Sequence, residues 1–167
     1  MAGIIPTMGP DDLGRLVDLH AAALVLYARQ WCAAAEDVVQ EAFVKVASQR
    51  PPPDNPLGWL YRVVRNGALA VARSERRRRH HERGVAARVP AWFEPTEGIG
   101  LDAETATVAL QTLPGDQREV VVAHLWGGLT FEQIGQLVGT SASTAHRRYL
   151  AALAALRERL HLPCPKT

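Results

Sequence analysis

Apolar residues recur along this chain at helical steps of three and four, and the elements they predict follow one another almost without interruption. Leu13, Leu16, Val17, Leu24 and Tyr27 predict a first helix running to about Trp31, with Asp11 and Asp12 placed to cap or charge its start. Val39, Phe43 and Val46 fall at i, i+4 and i+7 and predict a second, from about Ala33 to Ser48, with those residues facing inward. Glu36, Asp37, Gln40 and Glu41 are thereby turned outward. The stretch Ser48 to Pro56, SQRPPPDNP, reads as a rigid loop, since proline fixes its own φ and has no N–H to donate. Leu60, Val64, Ala68 and Val71, at steps of four, four and three, then make the buried stripe of a helix over Gly58 to Arg73. Trp59, Arg62, Arg65, Asn66 and Arg73 lie largely on its other side, and the helix runs on into RSERRRRHHER.

From Gly84 to about Asp102 the period dissolves among prolines and glycines, which reads as a linker and places a domain boundary there. A helix over Ala103 to Leu113 opens the second domain, and a Pro114-Gly115 turn, capped by Asp116, leads into another that ends near Trp126-Gly127-Gly128. The last stretch, Leu129 to Leu160, predicts two short helices with a defined corner. Thr130 and Gln133 have the spacing of a capping box, and Ile134, Leu137 and Val138 supply one apolar stripe. Gly139 stops that helix, and Ser141 restarts the chain as an N-cap. Ala145, Tyr149, Ala152, Leu153, Leu156 and Leu160 share one face of the final helix. Two helices joined by a short glycine-containing turn make the helix-turn-helix pattern. The fold expected is therefore all-α: two small helical domains, residues 10–83 and 103–162, joined by a flexible linker at 84–102, the second ending in a helix-turn-helix.

Composition sharpens this in three places. Hydrophobic residues are 47% of the 167, enough for a core, and aromatics only 6%. The net charge of +2 says little, but its distribution says more. Arg73, Arg76, Arg77, Arg78, Arg79 and Arg83 stand against Glu75 and Glu82, a local charge of +4. Like charges on neighbouring turns cost helix stability, and a polyanion removes that cost. An anionic membrane surface is the competing polyanion, but no suitable apolar face accompanies the run. His80, His81 and Glu82 are adjacent and point in different directions, so no metal site is expected. Cys32 and Cys164 have no metal spacing and read as free thiols in a reducing cytoplasm. No run of about 18 apolar residues is present, so no membrane insertion is expected. The opening MAGIIPTMGPDD lacks the pattern of a secretory signal.

Three surfaces carry candidate chemistry. On the second helix, Asp37, Gln40 and Glu41 form an acid-and-amide face, either a solvated surface or a docking surface for a basic partner. A catalytic pair would need a cleft that shifts one carboxyl pKa, and nothing apolar crowds these positions. On the third helix, Trp59, Arg62, Arg65 and Asn66, continued by Arg73, Arg76 and Arg77, have the types that stack on unpaired bases and grip phosphates. Trp59 and Tyr61 have core packing as the competing reading, and for Tyr61 it is the preferred one. On the last helix, Ser143, Thr144, His146, Arg147 and Arg148 line the leading turns, small hydroxyls first and guanidinium groups after, as a recognition helix enters a major groove. A helical hairpin with a solvated basic face is the plainer alternative. No nucleophile or metal constellation suggests catalysis, and no cofactor is implied.

Over residues 10 to 162 the chain resembles the small group IV, or extracytoplasmic-function (ECF), sigma factors of the sigma-70 family. The residues that carry the resemblance are Ala35-Glu36-Asp37, Gln40-Glu41 and Phe43, then Trp59-Leu60, Arg65-Asn66 and the arginines from Arg73 to Arg79. In the second half they are Leu113-Pro114, Arg118, Gly128-Leu129-Thr130, Ile134-Gly135, Ser141, Thr144 and Arg148. The resemblance implies that Asp37, Gln40 and Glu41 dock on the β′ clamp helices of RNA polymerase core. It implies that the Ser48 to Asn55 loop, with Trp59, Arg62 and Asn66, captures a melted −10 strand with a base flipped out. Arg65, Arg73, Arg76 and Arg77 would hold duplex and strand phosphates. The helix-turn-helix, through Ser141, Ser143, Thr144, His146, Arg147 and Arg148, would read a −35 element. The β flap, promoter DNA and an anti-sigma factor are the further partners implied. The chain departs from the family at Ala70, where an aspartate is common, and at Thr144-Ala145, where Thr-Val is usual, followed here by His146-Arg147-Arg148-Tyr149. A stand-alone helix-turn-helix regulator is the alternative function; it leaves AEDVVQEAF and the arginine run unexplained.

Overall fold

In the computed structural model the described residues are 8–81 and 103–160, and they form seven α-helices. The chain divides into two compact units, Met1–Pro90 and Ala91–Thr167. The segment 84–102, expected to be a linker, lies outside the described residues, as does Cys164.

The first unit holds α1 (Pro10–Ala28), α2 (Ala35–Ser48) and α3 (Pro56–His81), each packed on the other two. Pro10 stands in the first turn of α1, where its missing N–H costs nothing. Asp11 and Asp12 follow in that turn and make no capping hydrogen bond, so they charge the helix end rather than cap it. Only the second half of α1 is buried, through Leu24, Leu26, Tyr27 and Ala28; Leu13 and Leu16 are half-buried and Val17 is exposed. The helix ends at Ala28 and not at Trp31. There the Ala28 carbonyl accepts from the N–H groups of both Trp31 (3.0 Å) and Cys32 (3.3 Å), which closes a turn in place of a further helical step. Cys32 is a buried free thiol in that turn, and burial raises its pKa and holds it in the unreactive form.

Helix α2 starts at Ala35 rather than Ala33 and buries Val39, Phe43 and Val46 as their spacing predicts, joined by Val38 and Ala42. Helix α3 buries Leu60, Val64 and Ala68 completely, while Val71 is half-buried. Tyr61 is also fully buried, its ring edge-on to Tyr27 with centroids 4.9 Å apart. The proline loop is shorter than its sequence suggests, because Pro56 is already the first residue of α3.

The second unit holds α4 (Ala103–Gln111), α5 (Gly115–Leu125), α6 (Phe131–Val138) and α7 (Ala142–Arg159). Helix α7 packs on all three of the others. Val120, Val121, Val122 and Ala123 are all fully buried, so α5 is the interior element of the unit. Leu110, Leu113, Val121 and Ala152 form one apolar cluster, with Tyr149, Ala155 and Leu156 against it.

The corner between α6 and α7 follows the sequence closely. Thr130 Oγ1 accepts from Gln133 N (3.3 Å) while Gln133 Oε1 accepts from Thr130 N (2.8 Å), a complete capping box. Gly139 takes the left-handed conformation, φ 74°, and Ser141 caps α7 by accepting from Thr144 N at 3.1 Å. Gly135 is as important. A Cβ there would stand 2.8 Å from the Thr140 carbonyl oxygen and 3.1 Å from Ala142 N, so only a glycine lets the corner fold back onto α6. Gly135→Ala is therefore expected to destabilise the chain by about 1–3 kcal/mol, the usual cost of overpacking against backbone. Urea denaturation checks this, and an unchanged midpoint would show that the corner can yield.

Candidate nucleic-acid and protein interfaces

Because α2 buries Val38, Val39, Ala42 and Phe43, it necessarily exposes the residues between them. Glu36, Asp37, Gln40 and Glu41 are all exposed. They are not equivalent. Glu36 is in an ion pair with Arg29, whose guanidinium donates to the carboxylate and holds its pKa below the usual value. Glu41 pairs one turn along its own helix with Lys45, at 2.7 Å. Asp37 and Gln40 make no side-chain hydrogen bond or ion pair among the described residues, which leaves an acid and an amide side by side with open valences.

On α3, Arg62, Asn66, Arg73, Arg76 and Arg77 are exposed or partly so, while Trp59 and Arg65 are half-buried. Arg73, Arg76, Arg77 and His80 recur at i, i+3, i+4 and i+7 and line an open groove of about 440 Å3. The stripe spans about 10 Å at 1.5 Å per residue. The nearby acid is kept out of it: Glu75 is turned to Arg79, with Oε2 3.9 Å from Nη2. The groove is thus lined by cationic and imidazole groups alone among the described residues. His80 is a member that the sequence raises only as a metal ligand. Among the described residues no group of three His, Cys, Asp or Glu side chains could hold a metal ion.

Asn55 plays a different part from Arg62 or Arg73. Its Oδ1 accepts from Gly58 N at 2.9 Å and its carbonyl from Trp59 N at 3.0 Å, so it caps α3. Its amide nitrogen lies against Gly58, where an added Cβ would stand 2.7 Å from it.

The leading turns of α7 sort in the same way. Ser143, His146 and Arg147 are exposed, and Thr144 and Arg148 are half-buried. The Ser141 hydroxyl caps the helix and donates to Thr144 Oγ1 (3.0 Å), which also accepts from Arg147 Nη2 (3.4 Å). Arg148 turns back into the unit, its Nε 3.1 Å from Asp116 Oδ2. This corrects the expectation for Asp116. Pro114 occupies the N-cap of α5, and Asp116, with no capping bond, binds α7 instead. Arg118 similarly ties α5 to α4, Nη1 donating to the Gln111 carbonyl at 3.4 Å. The ring of His146 lies on Phe131, with centroids 4.8 Å apart.

These surfaces fall within the two regions that define a known family. Residues 16–78 match Sigma-70 region 2 and residues 109–158 match Sigma-70, region 4. The sigma factor CarQ of Myxococcus xanthus is 33% identical over 135 residues, covering 77% of this chain and 75% of that protein. The chain belongs to the ECF group of the sigma-70 family. The ECF sigma factor SigE of Mycolicibacterium smegmatis is 33% identical over 134 residues, 75% of this chain and 51% of that one. The first curated relatives that this sigma-70 family chain matches are longer, and it spans between about a third and a half of their length. Among solved structures, the sigma factor RpoE of Bartonella quintana, in complex with the anti-sigma factor NepR, shares the fold with a TM-score of 0.75. It is 24% identical, covering 92% of this chain and 99% of that one. The sigma factor CnrH, in complex with the cytosolic domain of CnrY, gives 0.60 at 22% identity. The acid-and-amide face and the arginine groove thus fall within region 2, and the helix-turn-helix within region 4.

Among the described residues, no helix is long and apolar enough to cross a membrane. The Arg29–Glu36 pair gives a pH-dependent prediction. The folded Glu36 pKa is depressed, so the pair's stabilisation is present above the unfolded carboxylate pKa and lost as pH falls through the folded one. With Glu36 largely exposed, it contributes under about 1 kcal/mol. Urea midpoints of Glu36→Gln are expected to lie slightly below the wild type at pH 7 and to converge with it as pH falls through the folded carboxyl's pKa; a constant gap would contradict the pairing.

Proposed function

We propose that the chain is a sigma factor that brings RNA polymerase core to promoters with paired −35 and −10 elements and assists opening of the DNA. The observation that carries this is the presence, on one three-helix unit, of two surfaces of opposite charge, the acid-and-amide face of α2 and the arginine groove of α3, whose acids and arginines lie within residues 16–78. A protein that only read duplex DNA would have no use for the first. A stand-alone helix-turn-helix regulator leaves the whole of region 2 unemployed.

In this reading, residues 10–83 bind core and the −10 element, 84–102 link, and 103–162 read the −35 element. Asp37, Gln40 and Glu41 dock on the β′ clamp helices. Asp37 and Gln40 lead, since Glu36 and Glu41 already have partners. Trp59, Arg62 and Asn66 receive the unpaired −10 strand, Trp59 offering a half-exposed ring for stacking and Asn66 a base-edge amide. Arg73, Arg76 and Arg77 neutralise the strand's phosphates, releasing their counterions. Asn55 shapes this surface by capping α3, and Arg65 supports it from a half-buried position.

On α7, Ser143, His146 and Arg147 take the base-reading positions. Ser141, Thr144 and Arg148 are engaged in the cap and in the Asp116 pair, which suits them to set the helix and to touch phosphates. Carrying both readers on one chain raises the effective concentration of the second once the first is bound, so each needs only modest affinity. Catalysis stays with the polymerase, and no cofactor is required of this chain. The β flap is the partner for region 4. An anti-sigma factor is a further partner, a reading supported by the anti-sigma complex of RpoE and the CnrY complex of CnrH. All of this takes place in the cytoplasm.

Two variants test the assignment. Asp37→Lys with Glu41→Lys is expected to abolish association with core polymerase while leaving the helical content intact; undiminished retention on immobilised core would refute the docking face. Arg147→Ala is expected to lower discrimination between −35 sequences by about 1–3 kcal/mol if the guanidinium reads a base. A uniform loss across all sequences, with a reduced salt dependence, would make it a phosphate contact.

A further inference from the structure

Four rings meet behind the leading end of α7, and no spacing in the sequence indicates that they touch. Phe131, the first residue of α6, stacks on His124 of α5, with centroids 4.4 Å apart and planes 22° from parallel. Its ring also meets Tyr149 at 5.5 Å and His146 at 4.8 Å, both from α7. His124 lies edge-on to Tyr149 at 4.9 Å.

Both inner rings are half-buried. The backbone at Phe131 is set by the Thr130–Gln133 capping box. His124 is fixed through its other edge, Nδ1 donating to the Leu129 carbonyl at 2.8 Å, which assigns the proton to that nitrogen. The same bond ties the end of α5 to the turn that precedes α6. His146 is different: it is exposed, at the end of α7 that faces a groove in the proposed function. An exposed histidine on a helix ordinarily samples several rotamers, and ordering it on binding costs affinity. Here the ring packs against that of Phe131, with the two planes tilted by 58°.

We infer that Phe131, clamped from behind by His124, is a positioning residue for His146, holding the imidazole in the orientation in which it reads the −35 element. The ring pair pre-orders a donor without a hydrogen bond that would occupy either imidazole nitrogen, so both remain available to a base edge or a phosphate. Tyr149, one helical turn further along α7, meets the same Phe131 ring and sets the rotation of the helix about its axis. The Asp116–Arg148 pair anchors the helix beside it. Phe131 does not itself contact DNA. It acts on specificity through His146.

This inference rests on the −35 reading proposed above, and the experiment separates the two. Holoenzyme assembled from core polymerase and full-length chain is titrated with promoter fragments carrying every single-base change in the −35 element. Wild type, His146→Ala, Phe131→Leu, Phe131→Tyr and the Phe131→Leu/His146→Ala double variant are compared. Phe131→Leu is expected to flatten the preference at the same base position as His146→Ala, by roughly 2- to 10-fold, the range of one aromatic pair. Phe131→Tyr is expected to restore it. The double variant should be no flatter than His146→Ala alone, since residues acting as a unit are non-additive.

A uniform loss over all fragments, additive effects in the double variant, or a His146→Ala profile identical to wild type would each overturn the inference. Should Phe131→Leu fail to fold, His124→Asn, whose amide nitrogen stands where Nδ1 does and keeps a donor for Leu129 but loses the stacked ring, takes its place with the same expected profile. Wild-type holoenzyme that shows no −35 preference at all would overturn the proposed function instead.

Discussion

The reading end of this chain depends on how closely two backbones can approach at Gly135. Helix α7 must leave the corner at Gly139 and Ser141 immediately beside α6, and a single methyl group at position 135 would meet the Thr140 carbonyl. Once that approach is made, the rest of the second unit is constrained. The Thr140 N–H bonds to the Gly135 carbonyl at 2.8 Å, Ser141 caps α7, and Ala145 and Ala152 bring small side chains to the buried face. The helix is then fixed in rotation by contacts of another kind, the Asp116–Arg148 pair and the rings of Tyr149 and His146 against Phe131. Small residues permit the approach, and large polar and aromatic ones set its direction.

The first unit solves a different problem with the same economy. Its three helices turn Tyr27, Tyr61, Phe43, Val38, Val39, Val46 and Val64 inward, and this leaves two outward faces of opposite chemistry. Intramolecular ion pairs trim both. Arg29 occupies Glu36, Lys45 occupies Glu41, and Glu75 is drawn to Arg79. Among the described residues Asp37 and Gln40 keep no side-chain partner on one side, and on the other Arg73, Arg76, Arg77 and His80 line the groove. Surface pairs of this sort contribute little to stability. Their effect here is to define which charges are left to meet a partner.

The features legible in the sequence are those encoded within one or two helical turns. The capping box of Thr130 and Gln133, the stop at Gly139, the cap at Ser141 and the inward positions of Val39, Phe43 and Val46 all depend on neighbours three or four residues away. Features that depend on distant partners were not legible. Asp116 stands where a cap is expected, but its carboxylate is claimed by Arg148, 32 positions on. Gly135 looks like an ordinary helical position until the corner is built against it. His124, Phe131 and His146 share no spacing that would bring them together. Asn55 reads as a loop amide, and only the start of α3 at Pro56 reveals it as the cap. Which partner the acidic helix face would serve is a proposal that only the family resemblance makes, since neither periodicity nor charge points to one.

The central claim is that this chain confers promoter choice on a polymerase that lacks it. Run-off transcription on a pool of genomic fragments, using purified core polymerase with and without the full-length chain, measures that directly. Discrete transcripts that start downstream of a common pair of elements, and only when the chain is added, are the predicted result. Transcription from the same scattered ends with and without the chain, on every fragment, would contradict it.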